Sequence, residues 1–182
     1  MNKAVVVAVA LGTLFCGTIS AQSPTYPPIN RAPTLYATHD FRGKTAPQIE
    51  VQQWLTGPLP NLKGKVILVD FWATWCPPCR ATIPELGQWQ KKFSKDLVVI
   101  GISDEKKSVV KDFMKTHPMP YNVGIDAKNK MSIEVGVQGI PHVMVISPDG
   151  IVRWQGFPLN GQDTLTEKTI KQIIDVSKAA SK

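Results

Sequence analysis

Apolar positions along the chain follow two rhythms, short unbroken runs and stripes three or four residues apart, and their alternation predicts the elements. Residues 66–71, VILVDF, form a run of the first kind, which predicts a central strand buried on both faces. Residues 96–103, DLVVIGIS, form another. Between them Pro78 suits the first turn of a helix running to about Phe93, because an N–H there has no partner in any case. Pro84 is expected to bend that helix. After the second run, Val109, Val110, Phe113 and Met114 fall at helical spacing. Pro118 and Pro120 interrupt the pattern, which resumes as a short strand near 123–125 and a short helix near 130–135. The stretch GIPHVMVISPDGIVRWQG reads as two strands joined by a turn at Ser147, Pro148, Asp149 and Gly150. A last helix over 164–178 carries Leu165, Ile170, Ile173 and Ile174 roughly on one side. Ahead of all these, QIEVQQWLTGPLPNL at 48–62 offers a short strand and a Gly-Pro turn, an N-terminal hairpin. No internal repeat is present. Strands alternating with helices predict an α/β sandwich, a mixed central sheet with helices on its faces.

The first 21 residues stand outside this pattern. Lys3, an apolar run over 4–15 and small residues before Gln22 predict a secretory signal peptide cleaved after Ala21. The run falls short of the roughly 20 apolar residues of a membrane span. Cys16 lacks the small preceding residue of a lipoprotein site, since Phe15 stands there. Residues 22–34 are proline-rich and polar and read as an extended linker, which leaves 35–182 as one domain. A chain of 182 residues, 43% hydrophobic, suffices for one core. Cleavage leaves two cysteines, Cys76 and Cys79, in a disulfide-permissive compartment. It also removes only Lys3 from the formal charge of +7, leaving 20 basic against 14 acidic residues, or +6. Those cations are scattered without a dense run or interleaved aromatics, a solvated basic surface and not a nucleic-acid site.

The chemistry concentrates at DFWATWCPPCR, residues 70–80. Two residues between cysteines close too small a loop to restrain much of the unfolded chain. Zinc needs about four ligands, and the mature chain has only Cys76, Cys79, His39, His117 and His142 as Cys or His donors, with no second Cys-x-x-Cys. A structural bridge and a zinc site are therefore the lesser alternatives. A helix starting beside Cys76 would present unpaired amides and the positive end of its dipole, lowering that thiol's pKa and making it the nucleophile. Cys79, three residues on, is placed to resolve the intermediate.

With GKTAPQIEV, LKGKVILVDFWATWCPPCR, GIPHVMVISPDGIV and WQGFP in view, the chain resembles thioredoxin-fold proteins of the TlpA/ResA/DsbE-like branch over roughly residues 41–176. The resemblance implies a thioredoxin-like three-layer sandwich with an N-terminal hairpin extension and an insert before the cis-proline strand. It implies an exported, periplasmic thiol-disulfide oxidoreductase that forms a mixed disulfide on Cys76, with Cys79 as the buried partner, and that works as a reductant. Pro141 matches the cis-proline, and an X-Pro bond is where a cis peptide is cheap. Ile140 would pair its backbone with an extended substrate segment. Trp75 and Pro77 would frame the thiols, and Trp72 would shield them. The implied partners are protein thiols and disulfides, with electrons from a membrane thiol carrier such as a DsbD-like protein. The chain is expected to act as a monomer without a cofactor, metal or nucleic acid.

Asp70 matches the buried acid of thioredoxins. Burial should raise its pKa, so that it takes or returns the Cys79 proton through water. The lysine that partners this acid in thioredoxins has no counterpart in LVVIGIS. His142, beside Pro141, is read as a satisfied sheet residue in preference to a thiolate-tuning or metal-binding one. Two other functions compete with the oxidoreductase. A copper-handling module would use Cys76, Cys79 and His142, since thiolates suit Cu(I), but Met114, Met119, Met131 and Met144 show no clustered spacing. A thiol peroxidase is weaker, because the Pro-x-x-x-Thr-x-x-Cys signature is missing before Cys76.

Overall fold

The structure, a computed structural model, describes residues 25–31, 34–159, 161 and 163–181. The expected signal peptide, 1–21, lies outside the described residues. In chain order the elements are β1 (Gln53–Trp54), β2 (Val66–Phe71), α1 (Pro77–Lys92), β3 (Leu97–Ser103), α2 (Lys107–Thr116), β4 (Asn122–Ile125), α3 (Lys130–Val135), β5 (His142–Ile146), β6 (Val152–Gly156) and α4 (Glu167–Ala180). One mixed sheet orders the strands β1-β4-β3-β2-β5-β6. β2, β3 and β4 are parallel neighbours, while β5 runs antiparallel to β2 and β6 antiparallel to β5. The apolar runs of β2 and β3 thus occupy the middle of the sheet, where both faces are covered.

Alternation along the strands divides the core in two. Val66, Leu68 and Trp72 face α1 and α4, together with Ile83, Leu86, Ile170 and Ile173. Val69 and Phe71 face the other way, into a cluster with Met131 and Val135 of α3 and the apolar residues of the N-terminal segment. Helices on one side, sheet in the middle and α3 with the N-terminal segment on the other make three layers.

Local rules explain the element ends. α1 runs unbroken through Pro84. The proline removes the bond to the Arg80 carbonyl, and both residues are exposed, so water can serve that oxygen. In α4, Thr166 caps the first turn by accepting from the Thr169 N–H at 3.2 Å. The β5–β6 turn closes through Gly150 N–H to the Ser147 carbonyl at 2.8 Å, and Gly150 sits at φ +80°, where a side chain would be strained.

Three expectations change. The N-terminal stretch does not fold back on itself as a hairpin, since its two-residue strand β1 pairs antiparallel with β4 at the sheet edge. In α2 only Val110 of the expected stripe is fully buried, Phe113 and Met114 are partly so, and Val109 is exposed. The stretch 25–31, expected as linker, lies against the domain. The Arg153 guanidinium stacks 3.6 Å from the Tyr26 ring centroid, and the Tyr26 hydroxyl lies 3.3 Å from Ser177 Oγ.

Candidate active site

Cys76 is the N-cap of α1, with extended backbone, and its Sγ accepts the Cys79 N–H at 3.2 Å. Pro77 and Pro78 fill the first two helical positions and carry no N–H, so Cys79 provides the first amide of the helix that can reach the sulfur. No acidic residue stands in that first turn. One directed N–H and the positive helix end converge on Cys76 and favour its thiolate. The two sulfurs are joined as a disulfide. In this disulfide form Cys76 is 2% exposed and Cys79 not at all. What separates the pair is direction. The Cys76 sulfur lies 3.7 Å from the Ile140 carbonyl oxygen, at the rim, while Cys79 sits inside the α1 helix in the core.

The rim is built from three segments. The Ile140–Pro141 peptide is cis, with Pro141 buried and Ile140 half-buried. Trp75 is 68% exposed and Pro77 is exposed beside it. Between Trp75 and Ile140 opens a cavity of about 70 Å³ with Asp104 and Asn129 on its polar side. Trp72 is buried instead, its ring 5.6 Å from that of Phe113.

Asp70 is fully buried on the same sheet face as Leu68 and Trp72, the face whose core cluster includes Cys76 and Cys79. Neither carboxyl oxygen has a hydrogen-bond partner among the described residues. Burial pushes its pKa from 3.8 up to about 7. A carboxyl balanced near neutrality can both take and return a proton. Its neighbour in register on β3 is Gly101, where the Trp72 and Tyr121 rings occupy the place that a side chain would take.

His142, adjacent to Pro141 in sequence, faces the opposite side of the sheet, paired with Phe71 in register. Its Nε2 lies 3.1 Å from Gln155 Nε2, whose amide also donates to the His39 carbonyl, while Gln155 Oε1 accepts from the Phe41 N–H. The donating amide makes Nε2 the acceptor and puts the ring proton on Nδ1. Burial, then the charge of Arg42, lower the His142 pKa to about 4. The donor set of the copper alternative is thus split between two faces, and so are its methionines, Met114 and Met119 on one, Met131 and Met144 on the other. Among the described residues no group of three or more His, Cys, Asp or Glu could hold a metal ion.

Two residues escaped the sequence reading. Glu105, just past β3, takes both the N–H and the hydroxyl of Thr74 at 2.7 Å each and the Ser103 hydroxyl at 3.1 Å. It clamps the loop that delivers Cys76. Tyr121, buried ahead of β4, has a hydroxyl without a partner among the described residues. An acid after a buried strand was visible for Glu105, but nothing local links positions 74 and 105. Tyr121 carried no signal beyond its apolar neighbours.

Fold and cysteine pair define the class: a thioredoxin-like thiol-disulfide oxidoreductase. A family model described as the AhpC/TSA family matches residues 42–155, and the chain belongs to that family. It is similar to the thioredoxin-like protein YneN of Bacillus subtilis, 28% identical over 74% of this chain and 79% of that one. It is 34% identical to the thiol-disulfide oxidoreductase ResA of Bacillus cereus over 60% of this chain and 66% of ResA. Similarity to the thiol:disulfide interchange protein DsbE of Pseudomonas aeruginosa is 36% over 51% of each chain. Among solved structures, a DsbE-type protein of Chlorobium tepidum superposes with a TM-score of 0.56 at 30% identity, covering 63% of this chain and 82% of that one. No helix of the described residues is long and apolar enough to cross a membrane.

Proposed function

We propose that this protein is exported, its first 21 residues acting as a cleaved signal, and that it reduces disulfides in partner proteins as a monomer. The observation that carries the reading is the Cys76 sulfur at the helix N-cap, receiving the Cys79 N–H and lying against the Ile140–Pro141 loop. The Cys76 thiolate attacks one sulfur of a partner disulfide, expels the other as thiolate and forms the mixed disulfide. Ile140 pairs its backbone with the partner's extended segment, Pro141 holds that loop against the sulfurs, and Trp75 and Pro77 line the approach. Asp70 then takes the Cys79 proton through water. The Cys79 thiolate attacks Cys76, the partner leaves with both sulfurs reduced, and the Cys76–Cys79 disulfide remains. Two electrons from a membrane dithiol carrier of the DsbD type restore the thiols. The names of the relatives ResA and DsbE support this chemistry.

Insulin reduction with dithiothreitol tests the assignment. Cys76→Ser abolishes turnover, and Cys79→Ser accumulates a mixed disulfide that dithiothreitol releases. Full activity of Cys76→Ser would remove the nucleophile from the scheme. A redox titration of the pair against dithiothreitol and glutathione tests direction, with a strongly negative potential expected and a high one contradicting the reductant.

A further inference from the structure

Among the buried polar groups of the α1-side core without a hydrogen-bond partner among the described residues, three converge: the Asp70 carboxyl, the Tyr121 hydroxyl, which feels the Asp70 charge, and Trp72 Nε1. Their convergence is fixed by Gly101. A Cβ built there would lie 2.9 Å from Trp72 Nε1 and 3.2 Å from Tyr121 Cε2, and Gly101 is the register neighbour of Asp70. Trp72 and Tyr121 therefore lean over the bare backbone of β3 beside the carboxyl. Tyr121 reaches this place from the segment joining α2 to β4, which packs so tightly on α1 that a Cβ at Gly87 would meet Pro120 Cγ at 2.6 Å.

A buried polar group without a hydrogen bond is costly, and three in one place are more so. Two donors and one acceptor around a common space are what an internal water needs, since such waters make about three hydrogen bonds. We propose that Tyr121 is a positioning residue for Asp70, its hydroxyl donating through an internal water that also meets Trp72 Nε1 and the carboxyl. The water is then the route by which the Cys79 proton reaches the acid. Cys79 S–H gives a proton to the water as the water gives one to Asp70, leaving a Cys79 thiolate and a neutral carboxyl, with no electron moved. Tyr121 keeps its own proton, because burial and then the Asp70 charge push its pKa well above the ordinary 10. It can only donate. The titratable side chains in the core cluster on this face are Tyr121 and, at the start of α1, Cys76 and Cys79, while β3 presents Gly101 and β5 presents Val143 beside Asp70. This inference rests on the proton-acceptor role of Asp70 proposed above.

The test is the titration of the Asp70 carboxyl in the full chain in its disulfide form. Carbon-13 NMR of labelled aspartate reads it, with the signal assigned from Asp70→Asn. Tyr121→Phe removes the donor with little change of shape, so its midpoint should lie above that of the wild type. Release of a thiol from a preformed Cys76 mixed disulfide should slow roughly threefold to tenfold near pH 7, the worth of one hydrogen bond, and recover at higher pH. Trp72→Phe should move the midpoint in the same direction. An unchanged or lowered midpoint in folded Tyr121→Phe protein overturns the inference, and so does a rate that falls equally at every pH. If Asp70→Asn itself releases thiol at the wild-type rate, it is the proton-acceptor role that fails, and the midpoint comparison still decides the pairing.

Discussion

Asp70 and His142 lie on adjacent strands, both fully buried and both shifted by burial toward the neutral form, yet on opposite faces of the sheet. On the His142 side Nε2 is bonded to Gln155, whose amide also ties down the backbone at His39 and Phe41, while Nδ1 has no partner among the described residues. On the Asp70 side no group among the described residues answers the carboxyl. The difference teaches that burial is the main force on both charge states, with Arg42 adding to it at His142, whereas the groups alongside decide what each residue is for. The Gln155 amide on Nε2 holds the His142 ring in one tautomer. A group left to water near its pKa can exchange a proton, and that is the side on which Cys79 lies.

The comparison has opposite pH signatures. Asp70 has a folded pKa raised from 3.8 to about 7, so its stabilising contribution is present below pH 3.8 and is lost as pH rises through 7. His142 has a folded pKa lowered from 6.5 to about 4, so its contribution is present above pH 6.5 and is lost as pH falls through 4. The largest expected effect is therefore that of Asp70→Asn. Chemical denaturation should find it more stable than the wild type above pH 8, by on the order of 4 kcal/mol, with the gain vanishing below pH 4. The same variant should release thiol from the Cys76 mixed disulfide at least tenfold more slowly at pH 7.

His142→Gln should remove the acid-side loss, about 3 kcal/mol between pH 6.5 and 4 when each protein is referred to its own stability at pH 7.5. Insulin reduction by this variant should stay within twofold of the wild type, because the ring faces away from the sulfurs. A large activity loss in folded His142→Gln would erase the distinction between the two faces. Glu105→Ala should cost about 2 kcal/mol, the scale of hydrogen bonds to a charged group, and should slow turnover by loosening the loop before Cys76. Trp75→Ala should have the smallest effect on stability, within about 0.5 kcal/mol for an exposed position, and should raise KM for a protein substrate.

Much of this architecture was legible because its signals are local. The runs of β2 and β3, the turn at Gly150 and the stripe of α4 each fit inside one window of sequence. β1 could not be read the same way, since two residues have no period and its partner β4 lies some seventy positions away. The helix N-cap at Cys76 followed from the cysteine spacing and the prolines, and the burial of Asp70 from the apolar run around it. The burial of Cys76 itself depends on distant packing against the Ile140 loop. The Glu105 clamp on Thr74 and the approach of Tyr121 to Asp70 likewise arise where the chain returns to a site after a long excursion. No sequence window contains both partners.

The central claim is that the α1 N-terminus holds Cys76 as thiolate. Thiolate absorbance near 240 nm, followed against pH in the reduced protein, measures it without requiring access to the sulfur. The account predicts one group titrating well below the 8.5 of a free thiol, retained in Cys79→Ser and lost in Cys76→Ser. Absence of any thiolate below pH 8.5, or its persistence in Cys76→Ser, would contradict it.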